Sequence, residues 1–142
     1  MKDKPKIVLD TNVLLVSISS RSKYHWIFQK LLKGDYDLYI SNEMLLEYEE
    51  IISEKFNPQV ARDVSRALLM LPNVFQVNIY YEWKLINADP DDNKFVDCAV
   101  SANADYLVTN DKHFSVLEKI DFPRVKVINI SEFKKLFTKS SQ

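Results

Sequence analysis

Along this chain, short unbroken apolar runs take turns with longer stretches in which apolar residues recur every three or four positions. The runs Lys6 to Leu9, Leu38 to Ile40 and Tyr106 to Thr109 read as strands. They lack a polar alternation, which predicts burial on both faces. Val74 to Ile79 alternates in a strand-like way, and Val125 to Ile128 makes a last strand. Asn12 to Ser17 starts a short helix, and Ser19-Ser20-Arg21-Ser22 is a polar break. Trp26, Ile27, Leu31 and Leu32 then stand at helical spacing, which predicts an amphipathic helix over Tyr24 to Lys33, closed by Gly34. Ser41 or Asn42 caps a helix over Glu43 to Lys55. Pro58 stands near the start of another, which runs to about Leu71 and is broken by Pro72-Asn73. Asp89 as N-cap and Pro90 at the first helical position open a helix to about Asn103. Phe114 to Lys119 is a short helix, and Ile130 or Ser131 opens a terminal one through Phe137, with a frayed tail over about 138–142. Strands alternating with helices predict an α/β fold, a parallel sheet sandwiched by helices.

The 142 residues suit one compact domain, without internal repeat, low-complexity segment or long linker. No stretch approaches the ~20 apolar residues that cross a bilayer. The basic start, Met1-Lys2-Asp3-Lys4-Pro5-Lys6, leads into a strand with no signal-peptide cleavage pattern. The one cysteine, Cys98, rules out an internal disulfide, which fits a reducing cytoplasm. The one glycine, Gly34, excludes P-loop and dinucleotide-type phosphate loops, which need several. A net charge of −1 does not mark out a nucleic-acid binder by bulk electrostatics. A nucleic-acid substrate requires instead a polarised surface, acids at the site and Lys and Arg around its rim.

The candidate chemistry is carboxylate. Ile7-Val8-Leu9-Asp10-Thr11-Asn12 and Tyr106-Leu107-Val108-Thr109-Asn110-Asp111 each place an acid just past a buried strand. In an open α/β sheet the working site lies outside the carboxyl ends of the strands, so Asp10 and Asp111 are expected at one mouth of one sheet. Asp10 can equally cap the helix after it, and Asn110-Asp111 can be a turn. On the helix after the second strand, Met44, Leu45, Tyr48, Ile51 and Ile52 form the apolar stripe. Glu47 borders it, whereas Glu43, Glu50 and Glu54 belong to a solvated face. Asp92 is the sharpest candidate. At ~100° per residue it falls in the middle of the stripe of Phe95, Val96, Ala99 and Val100, where an unpaired carboxylate is costly. The dull alternative is that Asp92 complements the helix dipole. Asp97, five residues on, points away from Asp92, either to the far wall of an acidic pocket or to water. Clustered carboxylates are tolerated mainly when a hard cation neutralises them, so a Mg²⁺ or Mn²⁺ site is the leading expectation. His25 and His113 are isolated and lack zinc-type spacing, the serines near residue 20 lack a nucleophile elbow, and Cys98 reads as an inert buried thiol.

With these residues in order, the chain resembles PIN-domain proteins. The resemblance rests on Ile7 to Asn12, on Leu45-Leu46-Glu47-Tyr48-Glu49-Glu50-Ile51, on Asp89-Pro90-Asp91-Asp92-Asn93-Lys94-Phe95-Val96-Asp97-Cys98-Ala99 and on Tyr106 to Asp111, and runs from about Ile7 to Phe137. It implies a three-layer α/β/α sandwich with a central parallel sheet of about five strands. It implies Asp10, Glu47, Asp92 and Asp111 as metal-binding acids, with Asp97 less securely placed. Many bacterial and archaeal PIN proteins are toxins of type II toxin–antitoxin systems, Mg²⁺- or Mn²⁺-dependent ribonucleases, usually dimeric and silenced by a cognate antitoxin. One departure is Asn110 where relatives often carry a glycine before the acid.

The expected reaction is metal-assisted hydrolysis of an RNA phosphodiester without a protein nucleophile. Thr11, Asn12, Asn93 and Thr109 would hold the carboxylates. Arg21, Lys23, Lys94 and Lys112 are candidate phosphate contacts, and Tyr80, Tyr81 and Trp83 either form a dimer surface or cover the core. The rival readings are a catalytically weak RNA- or protein-binding module and a receiver-like phosphotransfer domain. The latter wants a second acid where Asn12 stands, or a Lys after a late strand.

Overall fold

The structure is a computed structural model that describes residues 4–138. The expected tail therefore lies, from residue 139 on, outside the described residues, as does the extreme N-terminus. Five parallel strands form one sheet: β1 Lys6–Leu9, β2 Asp37–Ile40, β3 Val74–Gln76, β4 Tyr106–Val108 and β5 Val127–Ile128, in the order β3-β2-β1-β4-β5. Helices flank it: α1 Thr11–Ile18, α2 Trp26–Lys33, α3 Asn42–Lys55, α4 Pro58–Met70, α5 Asn93–Ala102 and α6 Ile130–Thr138. A 3-10 turn, Pro90–Asp92, precedes α5, and a 3-10 helix, Lys112–Lys119, follows β4.

The absence of alternation in β1 has the expected cause. Ile7, Val8 and Leu9 are all fully buried, and successive strand residues point to opposite faces, so both faces of the central strand are covered. β1 pairs with β4 with Leu9 opposite Val108. The strand order moves one way from β1 to β3 and the other way through β4 and β5, so the topological switch point lies between β1 and β4.

The helix ends follow the sequence signals. Gly34 takes a left-handed conformation (φ 79°) and its N–H closes α2 onto Leu31 and Lys30 carbonyls. Ser41 Oγ accepts from the Met44 amide and Asn57 caps α4. Asn103, also left-handed, ends α5. β4 stops one residue short of the expected Thr109, and two further strands lose more, for a common reason. β3 and β5 are edge strands, each with one neighbour. β2 ends at Ile40, whose carbonyl accepts from Val77, so the expected continuation to Ile79 has no ladder. β4 begins at Tyr106, leaving Val125 unpaired in the sheet although it is buried.

Polar groups in the core are tied to backbone. Tyr36 donates to the Ile27 carbonyl at 2.9 Å, Asn73 to those of Leu31 and Tyr36, and Tyr48 to that of Leu9 at 2.5 Å. The last bond joins α3 to the end of β1, immediately before Asp10. Among the described residues no helix is long and apolar enough to cross a membrane.

Candidate metal centre

The pairing of Leu9 with Val108 brings Asp10 and Thr109 side by side at the mouth of the sheet, at the switch point. Thr109 Oγ1 donates to Asp10 Oδ2 at 2.7 Å and accepts from the Asp111 amide at 3.0 Å. Asp10 stands at the N-cap position of α1, and the backbone amides of Asn12 and Thr11 favour its charged form, so the capping alternative stands beside its place in the site. Burial pushes its carboxyl above the ordinary range, against the lowering effect of the Thr109 hydroxyl, and Asp111 pushes it further.

Asp111 does serve the turn that its sequence suggests. It caps the 3-10 helix, its Oδ1 accepting from the His113 amide at 2.9 Å. Asp92 ends the 3-10 turn ahead of α5 and is buried, in keeping with its place in the apolar stripe. Its pKa is pushed up to about 6, by burial first, then by the charges of Asp89, Asp111 and Asp10. Its Oδ2 is inaccessible and has no hydrogen-bond partner. A buried carboxylate oxygen without a donor is costly, and three carboxylates add like charge around it, offset only in part by the imidazole of His113. Asp10 and Asp111 thus line one cleft, and both lie close enough to Asp92 to oppose its charge.

Glu47 meets Thr11, the residue after Asp10, and has both oxygens engaged. Oε2 accepts from Thr11 Oγ1, and Oε1 is 2.7 Å from Lys94 Nζ, which also meets Asp91 at 3.0 Å. Burial works against the Lys94 charge, but Glu47 and Asp91 more than restore it. Lys94 is thus committed within the site, unlike the exposed Arg21, Lys23 and Lys112. Asp97 is buried but turned elsewhere. Its Oδ1 accepts from the Trp83 amide at 3.1 Å, and it lines a hollow with Glu43, Glu82 and Lys84 that Asp91 and Lys94 also border. Of the expected supporting residues, Thr11 and Thr109 hold carboxylates. Asn93 instead clasps the backbone of Ile86 through both ends of its amide, and Asn12 is exposed at the rim of the Asp10–Asp111 cleft.

Two residues of the pocket were not read from the sequence as part of a site. His113 Nδ1 lies 3.4 Å from Asp111 Oδ1 and 3.6 Å from Asp92 Oδ2. Asp89, Asp92 and His113 each offer a ligand atom within 4.8 Å of the others. The available signals were local: His113 two positions after Asp111, and Asp89 one helical turn before Asp92. Cys98 is buried and its thiol is pushed up to about 12, mainly by burial, in keeping with an inert group. Tyr80 and Tyr81 are exposed and do not cover the core. Tyr81, Trp83 and Phe122 instead form a chain of ring contacts, with centroids 4.6 and 5.7 Å apart.

The geometry agrees with comparisons to known proteins. The family model described as PIN domain matches residues 6–113. No curated protein matches the sequence. Among solved structures, the chain is similar to VapBC2 from Rickettsia felis bound to a promoter DNA fragment. Identity there is 20%, with a TM-score of 0.62, over 87% of this chain and 98% of that one. It is similar to VapC20 from Mycobacterium tuberculosis, a sarcin–ricin loop cleaving toxin. Identity is 14% and the TM-score 0.59, over 77% of this chain and 92% of that one. It is also similar to FitAcB from Neisseria gonorrhoeae, at 18% identity and a TM-score of 0.55, over 87% of this chain and 97% of that one. At these identities the likeness is one of fold, and the five-stranded parallel sheet flanked by helices is the feature in common. The family match spans most of the sheet and every acid of the pocket, and the chain belongs to the PIN-domain family.

Proposed function

We propose that this protein is a divalent-cation-dependent endoribonuclease that hydrolyses RNA phosphodiester bonds, acting as the toxin of a type II toxin–antitoxin pair. The observation that carries the reading is Asp92 Oδ2, buried without a donor beside Asp10 and Asp111. Such an arrangement fits a hard divalent cation, whose charge would offset the repulsion and the burial together. Asp10, Asp92 and Asp111 would hold Mg²⁺ or Mn²⁺, with Glu47 at the edge of the pocket and Asp97 a remoter candidate. A bound cation of this class supplies Lewis acidity to a phosphodiester and a more acidic water.

The chain's own residues do the rest. Thr109 orients the Asp10 carboxylate and fixes the Asp111 loop, and Thr11 does the same for Glu47. Lys94 neutralises Glu47 and keeps it in one rotamer. Exposed Arg21, Lys23 and Lys112 are suited to phosphates at the rim. RNA as substrate, an antitoxin as protein partner and assembly as a homodimer are supported by the family. They also accord with solved neighbours that are toxins or toxin–antitoxin complexes. The buried lone cysteine accords with a cytoplasmic location. The whole of residues 1–142 is read as a single domain.

The test is RNA cleavage by purified protein across a Mg²⁺ and Mn²⁺ titration. Asp10→Asn and Asp92→Asn are expected to abolish cleavage with the fold intact by circular dichroism. Wild-type turnover by either variant would remove that residue from the mechanism. One observation favours a second reading, a catalytically weak RNA- or protein-binding module. The Lys94 ammonium already satisfies Glu47, so one acid of the set is spoken for without an ion. Binding of RNA or metal without cleavage would decide for the module.

A further inference from the structure

We propose that Asp89, Asp92 and His113 form a cation position with a nitrogen donor, adjoining Asp10 and Asp111 and sharing Asp92 with them. It would favour borderline transition ions such as Co²⁺ or Zn²⁺ over the hard Mg²⁺, with Mn²⁺ between them. This rests on the metal-dependent reading above and names the ion class.

Three observations meet here. The ligand atoms of Asp89, Asp92 and His113 lie within 4.8 Å of one another. Asp92 is 9% exposed as a residue and 13% at its side chain, and its Oδ2 has no hydrogen-bond partner. His113 Nδ1 stands 3.6 Å from that oxygen, beyond a hydrogen bond. Adjacent ligands of an octahedral ion with bonds of about 2.1 Å stand about 3 Å apart. The 3.6 Å separation of the imidazole nitrogen from Asp92 is near that of neighbouring ligands, and side-chain rotation would draw together ligand atoms that stand up to 4.8 Å apart.

The imidazole is also held in place from behind. The His113 amide donates to Asp111 Oδ1, which fixes the backbone from which the ring projects. Asp89 is anchored in the same way, its Oδ1 accepting from the Asp91 amide at the head of the 3-10 turn that carries Asp92. Both flanking ligands thus sit on capped backbone. The chemical consequence follows from donor type. An all-carboxylate pocket suits Mg²⁺ and Mn²⁺, whereas an imidazole adds most affinity for Co²⁺ and Zn²⁺, less for Mn²⁺ and little for Mg²⁺. His113 is 48% exposed at its side chain, so the position opens to solvent and leaves room for water or phosphate oxygen.

The test is metal binding by the full chain, measured by calorimetry with Mg²⁺, Mn²⁺ and Co²⁺. Pulsed electron paramagnetic resonance of the Mn²⁺-loaded protein then reads out nitrogen ligation. The expected result is ¹⁴N coupling in the wild type and its loss in His113→Gln. Co²⁺ affinity should fall at least about ten-fold in His113→Gln, with the Mg²⁺ affinity changed by less than about two-fold. Asp89→Asn is expected to weaken Co²⁺ with the coupling retained. No ¹⁴N coupling in the wild type, or unchanged Co²⁺ affinity in His113→Gln, overturns the proposal. The nuclease reading is scored separately, by Mg²⁺-supported RNA cleavage in wild type and Asp10→Asn. It can stand or fall whatever the coupling shows.

Discussion

Thr109 and Asp10 are 99 residues apart in sequence and 2.7 Å apart in space, a buried hydroxyl donating to a buried carboxylate. The same oxygen accepts from the Asp111 amide, so one threonine couples the acid after β1 to the acid after β4. Thr109→Val keeps the shape and removes the donor. It is expected to cost about 2 kcal/mol by chemical denaturation, the scale of a hydrogen bond to a charged group, and to weaken metal binding. Thr109→Ser should recover most of both. A valine variant with wild-type stability and metal affinity would show that this link is incidental.

The raised pKa of Asp92 makes a prediction with a definite sign. Its folded-state value, about 6, lies above the ordinary carboxylate value, so the folded protein binds this proton more tightly than the unfolded chain. For this group stability is highest in acid, falls as pH rises from about 4 to about 6, and stays reduced above. Asp92→Asn removes the charge. In chelator, the variant should be more stable than wild type at pH 7.5 by about 2 kcal/mol and gain little at pH 4, while losing RNA cleavage. Equal gains at both pH values would mean that burial of the charge is not the cause.

Metal addition should reverse that penalty. A ligand that binds the folded state raises the unfolding temperature by mass action, and protons compete for the same carboxylates. Mn²⁺ is therefore expected to stabilise the wild type more at pH 7.5 than at pH 5, with the difference much reduced in Asp92→Asn. Thermal unfolding at matched ionic strength measures it.

The Lys94–Glu47 pair is nearly closed to solvent, with side chains 8% and 20% exposed. Lys94→Met would leave Glu47 half-satisfied beside other acids, at a cost of about 2–3 kcal/mol. The double variant Lys94→Met, Glu47→Gln should recover part of this, and the cycle measures their coupling. If Glu47 acts chiefly as the anchor of Lys94, Glu47→Gln will reduce metal affinity less than Asp10→Asn does. Equal losses would make it a direct ligand.

Tyr48 donates to the Leu9 carbonyl, the last residue before Asp10. Tyr48→Phe should cost about 1 kcal/mol of stability. Any loss of cleavage beyond that seen in comparably destabilised core variants would show that α3 helps to aim Asp10.

Much of this architecture was legible locally. The unbroken apolar run before Asp10 and the helix ends at Ser41, Pro58 and Gly34 are written in neighbouring residues, because strand burial and helix termini depend on short-range pattern. Asp92 stood out because a helical period places it on an apolar stripe, and it is buried there. The ends of β3 and β5 were not legible, since an edge strand stops where its one neighbour stops.

The partners of each acid belong to another level. Periodicity tells which way a side chain points from its own helix or strand, but not what stands opposite. Lys94 meets Glu47 across 47 residues, His113 meets Asp92 across α5 and β4, and Asp97 turns to the Trp83 amide. The one-dimensional pattern determined the parallel sheet and the acids at its mouth. Tertiary packing decided which carboxylates repel one another, which is neutralised by a lysine and which has an imidazole for a neighbour. Those outcomes depend on distances between elements, and distances between elements are set only when the helices close over the sheet.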